Sequence, residues 1–180
     1  MIVRLGPYPI DRIVLCSADA GPKSQSDNSA EARYFFTRAS WVGAVRNTAE
    51  DLGCKFVILT TAHGMVNSED MINPYDTHIG TYRSEVDAQW QQTIPHVLGT
   101  HQYGLIVFYA GGCPRDLYLD LLMPILRNAG ISLITFGKPN MYDVGKLEEF
   151  TKLIVKGTTI KELESILKYP DELEFIPVFS

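Results

Sequence analysis

No apolar run in the chain approaches the roughly eighteen residues that a membrane span requires. Cysteine is scarce. Cys16, Cys54 and Cys113 are an odd number without CxxC spacing, which argues against a disulfide framework and against a cysteine zinc site. Histidine is scattered. His63, His78, His96 and His101 never fall at HxH or HxxxH spacing, so no metal site is expected. There is no GxGxxG and no GxxxxGKS/T, which excludes the dinucleotide fingerprint and the P-loop, and no cofactor is expected. Positive charge is in deficit, with 16 Lys and Arg against 21 Asp and Glu, a net charge of −5. Extensive nucleic-acid binding normally needs a basic surface and is disfavoured, while a single positive pocket stays open. The opening Met1–Pro7 is too short and too soon broken for a signal peptide, so a cytoplasmic protein is expected. Repeats and low-complexity tracts are absent.

The 180 residues are 46% apolar and 21% charged, the balance of one soluble domain with a substantial core. Ile13-Val14-Leu15-Cys16-Ser17 is a short apolar run with β-branched members and no polar alternation, the pattern of a strand buried on both faces. Similar runs place strands at about 12–17, 55–61, 104–110 and 131–136. Between them helical spacing predicts a helix from Asn28 or Ser29 to Leu52, its face formed by Ala32, Phe35, Phe36, Ala39, Val42, Val45 and Ala49. A second helix starts at Arg83 or Ser84 and runs to about Leu98, with a kink or early stop at Pro95. A third opens with Pro114 as its first residue and ends near Asn128. Asp143 opens a fourth to Val155, Thr158 or Thr159 caps a fifth to Lys168, and Glu174–Val178 suits a terminal strand. Ala62–Tyr82 reads as a long irregular segment, a length that in a compact domain marks function or disorder. Strand and helix alternation predicts an α/β three-layer sandwich with a mainly parallel four- to five-stranded sheet in the Rossmann or flavodoxin-like order 2-1-3-4. Residues 1–10 form an N-terminal arm and 143–180 a C-terminal helical extension of this single domain.

In a parallel sheet the strand exits share one edge, and ligands bind beyond it. The first exit offers Cys16, Ser17 and Lys23, and the second His63 and Gly64. The third offers Gly111, Gly112 and Cys113. Adjacent glycines before a helix let backbone amides approach an anion, and equally suit a tight turn chosen for sterics. A thiol capping a helix, as Cys113 would, can be acidified, although most intracellular cysteines are buried small hydrophobes. In Asn73-Pro74-Tyr75-Asp76 the proline restricts Asn73 to extended backbone, Tyr75 supplies an anchor or a stacking ring, and Asp76 a carboxylate for acid/base work. The plainer reading of Asp76 is a turn residue, and Trp90 reads as core.

These residues also resemble a family of small uncharacterised α/β domains. The likeness rests on Cys16-Ser17 with a downstream Lys, on Ile58-Leu59-Thr60-Thr61-Ala62-His63-Gly64-Met65-Val66, on Pro74-Tyr75-Asp76 and on Trp90. It spans about Arg12 to Gly145 and is similar, more distantly, to YaaA-type proteins and to the uracil-glycosylase-like domain of archaeal tRNA transglycosylases. The chain departs from the pattern at its first loop, which lacks a compact basic run, and at Gly111-Gly112-Cys113-Pro114, where Tyr118 stands in for the family's turn tyrosine.

The resemblance implies a fold and a shared pocket and supplies no established reaction; the expectation for that pocket is a nucleoside, nucleotide or modified-base ligand, with N-glycosidic hydrolysis as the reaction. Asp76 and His63 are then the catalytic candidates. Cys16, Ser17, Lys23, Gly64, Tyr75, Gly111, Gly112 and Cys113 are the ligand-binding candidates. A non-catalytic nucleic-acid-associated domain of YaaA-like type is one alternative, and net charge counts against it. A cysteine-dependent hydrolase is another, and the lack of a Cys-His-Asp signature counts against it. A homo-oligomer is left open.

Overall fold

A computed structural model describes residues 2–19, 21, 24–99, 102–137 and 142–178. The chain opens with β1 (Arg4–Leu5) and a short 3-10 turn, then enters β2 (Ile13–Ala18), every residue of which is buried. Next come β3 (Ala30–Glu31), α1 (Ala32–Phe35), α2 (Ser40–Leu52), β4 (Lys55–Thr60), β5 (Gly64–Asn67) and β6 (Met71–Ile72). The remainder is α3 (Arg83–Leu98), β7 (Leu105–Tyr109), α4 (Arg115–Ala129), β8 (Ser132–Phe136), α5 (Leu147–Lys156), β9 (Thr158–Thr159), α6 (Ile160–Ile166) and β10 (Glu174–Ile176).

The main sheet has six strands in the order β10-β8-β7-β2-β4-β5. Its inner four are parallel, with Cys16 opposite Val57 on one side and Phe108 on the other, and Val107 opposite Ile134. This is the predicted order, with the first and third predicted strands adjacent at the centre. Alternate residues feed two separate cores. Val14, Cys16, Ala18, Leu59 and Phe108 meet Trp90, Ile94, Leu122 and Leu126 of α3 and α4. Ile13, Leu15, Ile58, Val107 and Phe136 meet Val42 and Val45 of α2, Phe150 and Ile154 of α5 and Leu163 of α6. Helices on both faces bury the inner four strands almost entirely, which is why these read as continuous apolar runs.

The structure departs from expectation at the edges of the sheet. The 62–82 segment is not irregular from its start. Beyond β4 the chain turns at 61–63 and returns as β5, antiparallel, with Leu59 opposite Met65. Gly64 has φ +70°, the left-handed backbone that lets this reversal begin at once. At the opposite edge the expected terminal strand forms as β10, antiparallel to β8. The single helix expected from Asn28 or Ser29 to Leu52 is divided. Ala30–Glu31 pair with Met71–Ile72, and Phe36 leaves the helical region at φ −92°, ψ 70°. Division lets the consecutive Phe35 and Phe36 both be buried, edge to face at 5.1 Å. Pro95 does not end α3. It stands in the last turn, where few helical bonds depend on it, and Trp90, Ile94 and Leu98 anchor the helix around it. The N-terminal arm is held through β1, which pairs with β9.

Candidate functional site

Where β2 ends, Asp19 follows directly, its N–H donating to the Leu59 carbonyl at 2.9 Å. The sheet ladder therefore aims the side chain into the corner between β4, α4 and the loop after β6. Asp19 is 4% exposed. Three donors from three parts of the fold converge on it. The Thr61 N–H reaches Oδ2 at 3.1 Å, the Tyr75 hydroxyl reaches Oδ2 at 2.6 Å, and the Tyr118 hydroxyl bonds Oδ1. Burial pushes the Asp19 carboxyl above the ordinary carboxylate range, and the bonds from Tyr118, Tyr75 and Thr61 pull it back. Burial likewise pushes both tyrosine hydroxyls far up, reinforced by the nearby Asp19 charge.

The tyrosines are themselves held in place. The Tyr118 ring lies 5.5 Å from Trp90 and 6.4 Å from Phe108. Trp90 is wholly buried and donates from Nε1 to the Thr60 carbonyl at 2.8 Å, which ties α3 to the end of β4. Tyr75 stacks on Phe35, ring centroids 6.2 Å apart, and its N–H donates to Gln25 Oε1 at 3.0 Å. Beside this group lies a cavity of about 190 Å³ whose walls include Asp19, Gln25, Thr61, Tyr75, Thr77, His78, Ile79, Gly112 and Tyr118.

Of the residues expected to form the site, Tyr75 and Gly112 line this cavity. The others take different positions. Asp76 projects outward, its side chain 75% exposed and paired with His78 Nε2 at 3.0 Å, because the turn after Pro74 sends Tyr75 inward and its neighbour out. His63 holds the loop. Its N–H donates to Thr60 Oγ1 at 2.9 Å, and its Nε2 bonds the Asn73 carbonyl at 3.0 Å. Cys16 is wholly buried in the core shared with α3 and α4, and burial pushes its thiol far up. Ser17 is also buried and donates to the Ala18 carbonyl at 2.9 Å.

Cys113 is not the helix cap. Pro114 holds that position ahead of α4, and the Cys113 thiol turns back to the Ala110 carbonyl at 3.3 Å. Burial, with the Asp19 charge, pushes that thiol up to about 12. Such surroundings are the reverse of those that make a cysteine nucleophilic. The glycines answer to packing. A Cβ on Gly64 would lie 2.2 Å from Thr93 Oγ1, one on Gly111 2.4 Å from the Tyr109 hydroxyl, and one on Gly112 2.5 Å from the Trp41 ring. Lys23 lies outside the described residues. Among the described residues no group of three or more His, Cys, Asp or Glu is placed to hold a metal ion, and no helix is long and apolar enough to cross a membrane.

Asp19, Thr61 and Gln25 were absent from the expected set. One signal for Asp19 was available, since it is the first charged residue after a fully apolar central strand. Nothing local marks Thr61 or Gln25, whose partners are distant in sequence.

The fold and this corner define an α/β domain with its candidate site at the carboxyl edge of the parallel strands of a mixed, mainly parallel sheet. Residues 13–136 match DUF6884, a family of unknown function, and the chain belongs to that family. No curated protein and no solved structure matches the chain. The match covers β2 to β8, the Asp19 corner and α4, and leaves β1, α5, β9, α6 and β10 outside it.

Proposed function

We propose that the Asp19 cavity binds the ring of a nucleobase-type ligand and that N-glycosidic hydrolysis is the reaction it serves. One observation carries this reading, a buried carboxyl held in one orientation beside a small, partly apolar cavity. At about 190 Å³ the space suits a single substituted ring, since a cavity of about 150 Å³ accommodates benzene. The ring would enter and the sugar would remain at the mouth. Asp19 takes the role expected of Asp76. In such surroundings a carboxyl can hold a ring N–H or serve as acid or base at a glycosidic bond. The more distant likeness to glycosylase-like domains favours the same chemistry, and the net charge of −5 favours a small ligand over a long nucleic acid. Hydrolysis consumes water and releases the free base and the sugar.

A thermal-shift and calorimetric screen of free bases, nucleosides and nucleotides tests this, followed by chromatography for released base. At least one base or nucleoside should raise the Tm, and Asp19→Asn should weaken its binding by about 1–3 kcal/mol for a lost charged hydrogen bond. Equal binding by wild type and Asp19→Asn would sink the proposal, as would a screen in which no compound binds.

A further inference from the structure

We propose, resting on the reading of this cavity as a site for a nucleobase-type ring, that Gln25 selects the ligand. Its side-chain NH2 donates to a ring carbonyl, so the ring held beside Asp19 is a cyclic amide. The orientation of one side-chain amide is the starting point. A backbone N–H can only donate. The Tyr75 N–H donates to Gln25 at 3.0 Å, so the atom facing it is the oxygen Oε1, and the nitrogen Nε2 points away. Turned over, the amide would set two donors against each other. Both hydrogens of Nε2 are therefore left to give.

Those hydrogens have no taker in the protein. Gln25 is 7% exposed, yet its Nε2 meets no acceptor among the described residues and is not sealed from solvent. It opens at the cavity, whose wall Gln25 forms. The neighbouring side-chain donors are occupied. The Tyr75 and Tyr118 hydroxyls give to Asp19, and the Thr61 hydroxyl lies 2.7 Å from the Thr77 carbonyl. A buried amide nitrogen is costly to leave unbonded, so an acceptor arriving in the cavity is favoured at this point. Ile79, Gly112 and Pro114 supply apolar wall against which a flat ring can lie.

Asp19 and Gln25 make opposite demands. The carboxyl accepts hydrogen bonds and the amide NH2 donates them. Tyr75 ties the two together, its hydroxyl on Asp19 and its N–H on Gln25. A ring that satisfies both carries an N–H and a carbonyl, the pairing that a cyclic amide presents and that the oxo bases share. An amino group in place of the carbonyl would bring a donor against the Gln25 NH2. A site built around a hydrogen bond rejects the analogue that cannot make it. Gln25 is thus a residue of specificity and takes no part in bond breaking.

The test compares oxindole with indole by NMR titration and calorimetry. Both are bicyclic rings with one N–H, and only oxindole has a carbonyl. Oxindole should bind wild type at least about tenfold more tightly. Gln25→Glu, in alkaline buffer where the new carboxyl is ionised, keeps an oxygen for the Tyr75 N–H and replaces the donating NH2 by an acceptor. The preference for oxindole should then vanish, whereas a purely structural Gln25 would leave it in place. In isotope-labelled wild type the assigned Gln25 side-chain amide protons should move downfield with oxindole and stay put with indole, a readout that holds even if Gln25→Glu fails to fold. Equal binding of the two probes, a preference that survives Gln25→Glu, or amide protons unmoved by oxindole overturns the assignment. Uracil and hypoxanthine run in parallel separate it from the proposed function. A Gln25-dependent preference for oxindole in a chain that binds no base sinks the proposed function alone. A base bound equally by wild type and Gln25→Glu sinks the assignment alone, and a chain that binds no probe sinks both.

Discussion

Asp19 and Asp76 are the same residue type at the same edge of the sheet, and the fold treats them oppositely. Asp19 is 4% exposed, with donors from β4's exit, the 73–82 loop and α4 converging on it. The Asp76 side chain is 75% exposed and meets one histidine that is itself 64% exposed. A strand exit points its side chain where the sheet and helices leave it. A loop tip after proline points one side chain in and the next out. Tyr75 and Asp76 divide in this way, and Tyr75 is spent on Asp19. The difference teaches that enclosure, more than a suggestive tripeptide, makes a carboxylate chemically useful.

The most direct way to break this comparison is to truncate each carboxylate. Asp19→Ala leaves two tyrosine hydroxyls and the Thr61 N–H without their acceptor and should lower unfolding free energy by about 3 kcal/mol in a urea titration. Asp76→Ala should shift the transition too little to resolve, because solvent replaces its exposed partner. Similar losses for both would show that Asp19 has no special environment.

Gly64→Ala tests whether the hairpin glycine beside the site serves packing. It should cost about 2 kcal/mol, through the clash with Thr93 and the φ of +70°. In a Thr93→Ala background part of that cost should disappear, and the part due to the backbone should remain. No recovery would mean that the close approach to Thr93 is not what excludes a side chain.

Trp90→Phe removes the Nε1 bond to the Thr60 carbonyl but keeps an aromatic ring against Tyr118. A loss of about 1–2 kcal/mol is expected, from the unpaired buried carbonyl and the smaller ring. A larger fall in ligand binding than in stability would instead make Trp90 part of the site.

The smallest effect expected is a slope. Because the native Asp19 pKa is raised, the folded chain binds a proton that the unfolded chain has released. That contribution is fully present below the unfolded aspartate value of about 3.9 and is lost as pH rises through the native value. Tm against pH should therefore decline more steeply across this window in wild type than in Asp19→Asn. Parallel profiles would show that Asp19 titrates as an ordinary carboxyl.

Much of the fold was legible because it depends on local pattern. The four inner strands begin and end within about a residue of the apolar runs that predicted them, and their order followed from alternation with helices. The terminal strand Glu174–Ile176 was also foreseen, while the β5 edge was harder. Gly64–Asn67 is too short and too mixed in character to declare itself before β4 is there to pair with it. The predicted helix through Phe35 and Phe36 failed for the same reason, since the competing pairing partner, Met71–Ile72, lies far along the chain.

By itself the sequence determined a mainly parallel α/β core and pointed to the edge where a cavity lies, with Tyr75 and Gly112 in its walls. Burial periodicity is written residue by residue, so these could be read in one dimension. Only the tertiary structure decided that the enclosed carboxylate is Asp19, that Asp76 faces solvent and that Cys16 and Cys113 are sealed in the core. Those outcomes depend on Thr61, Tyr75 and Tyr118 arriving from separate elements at one point. The proton affinity of a carboxyl depends on the groups that enclose it in space, and the order of residues along the chain does not encode that enclosure locally.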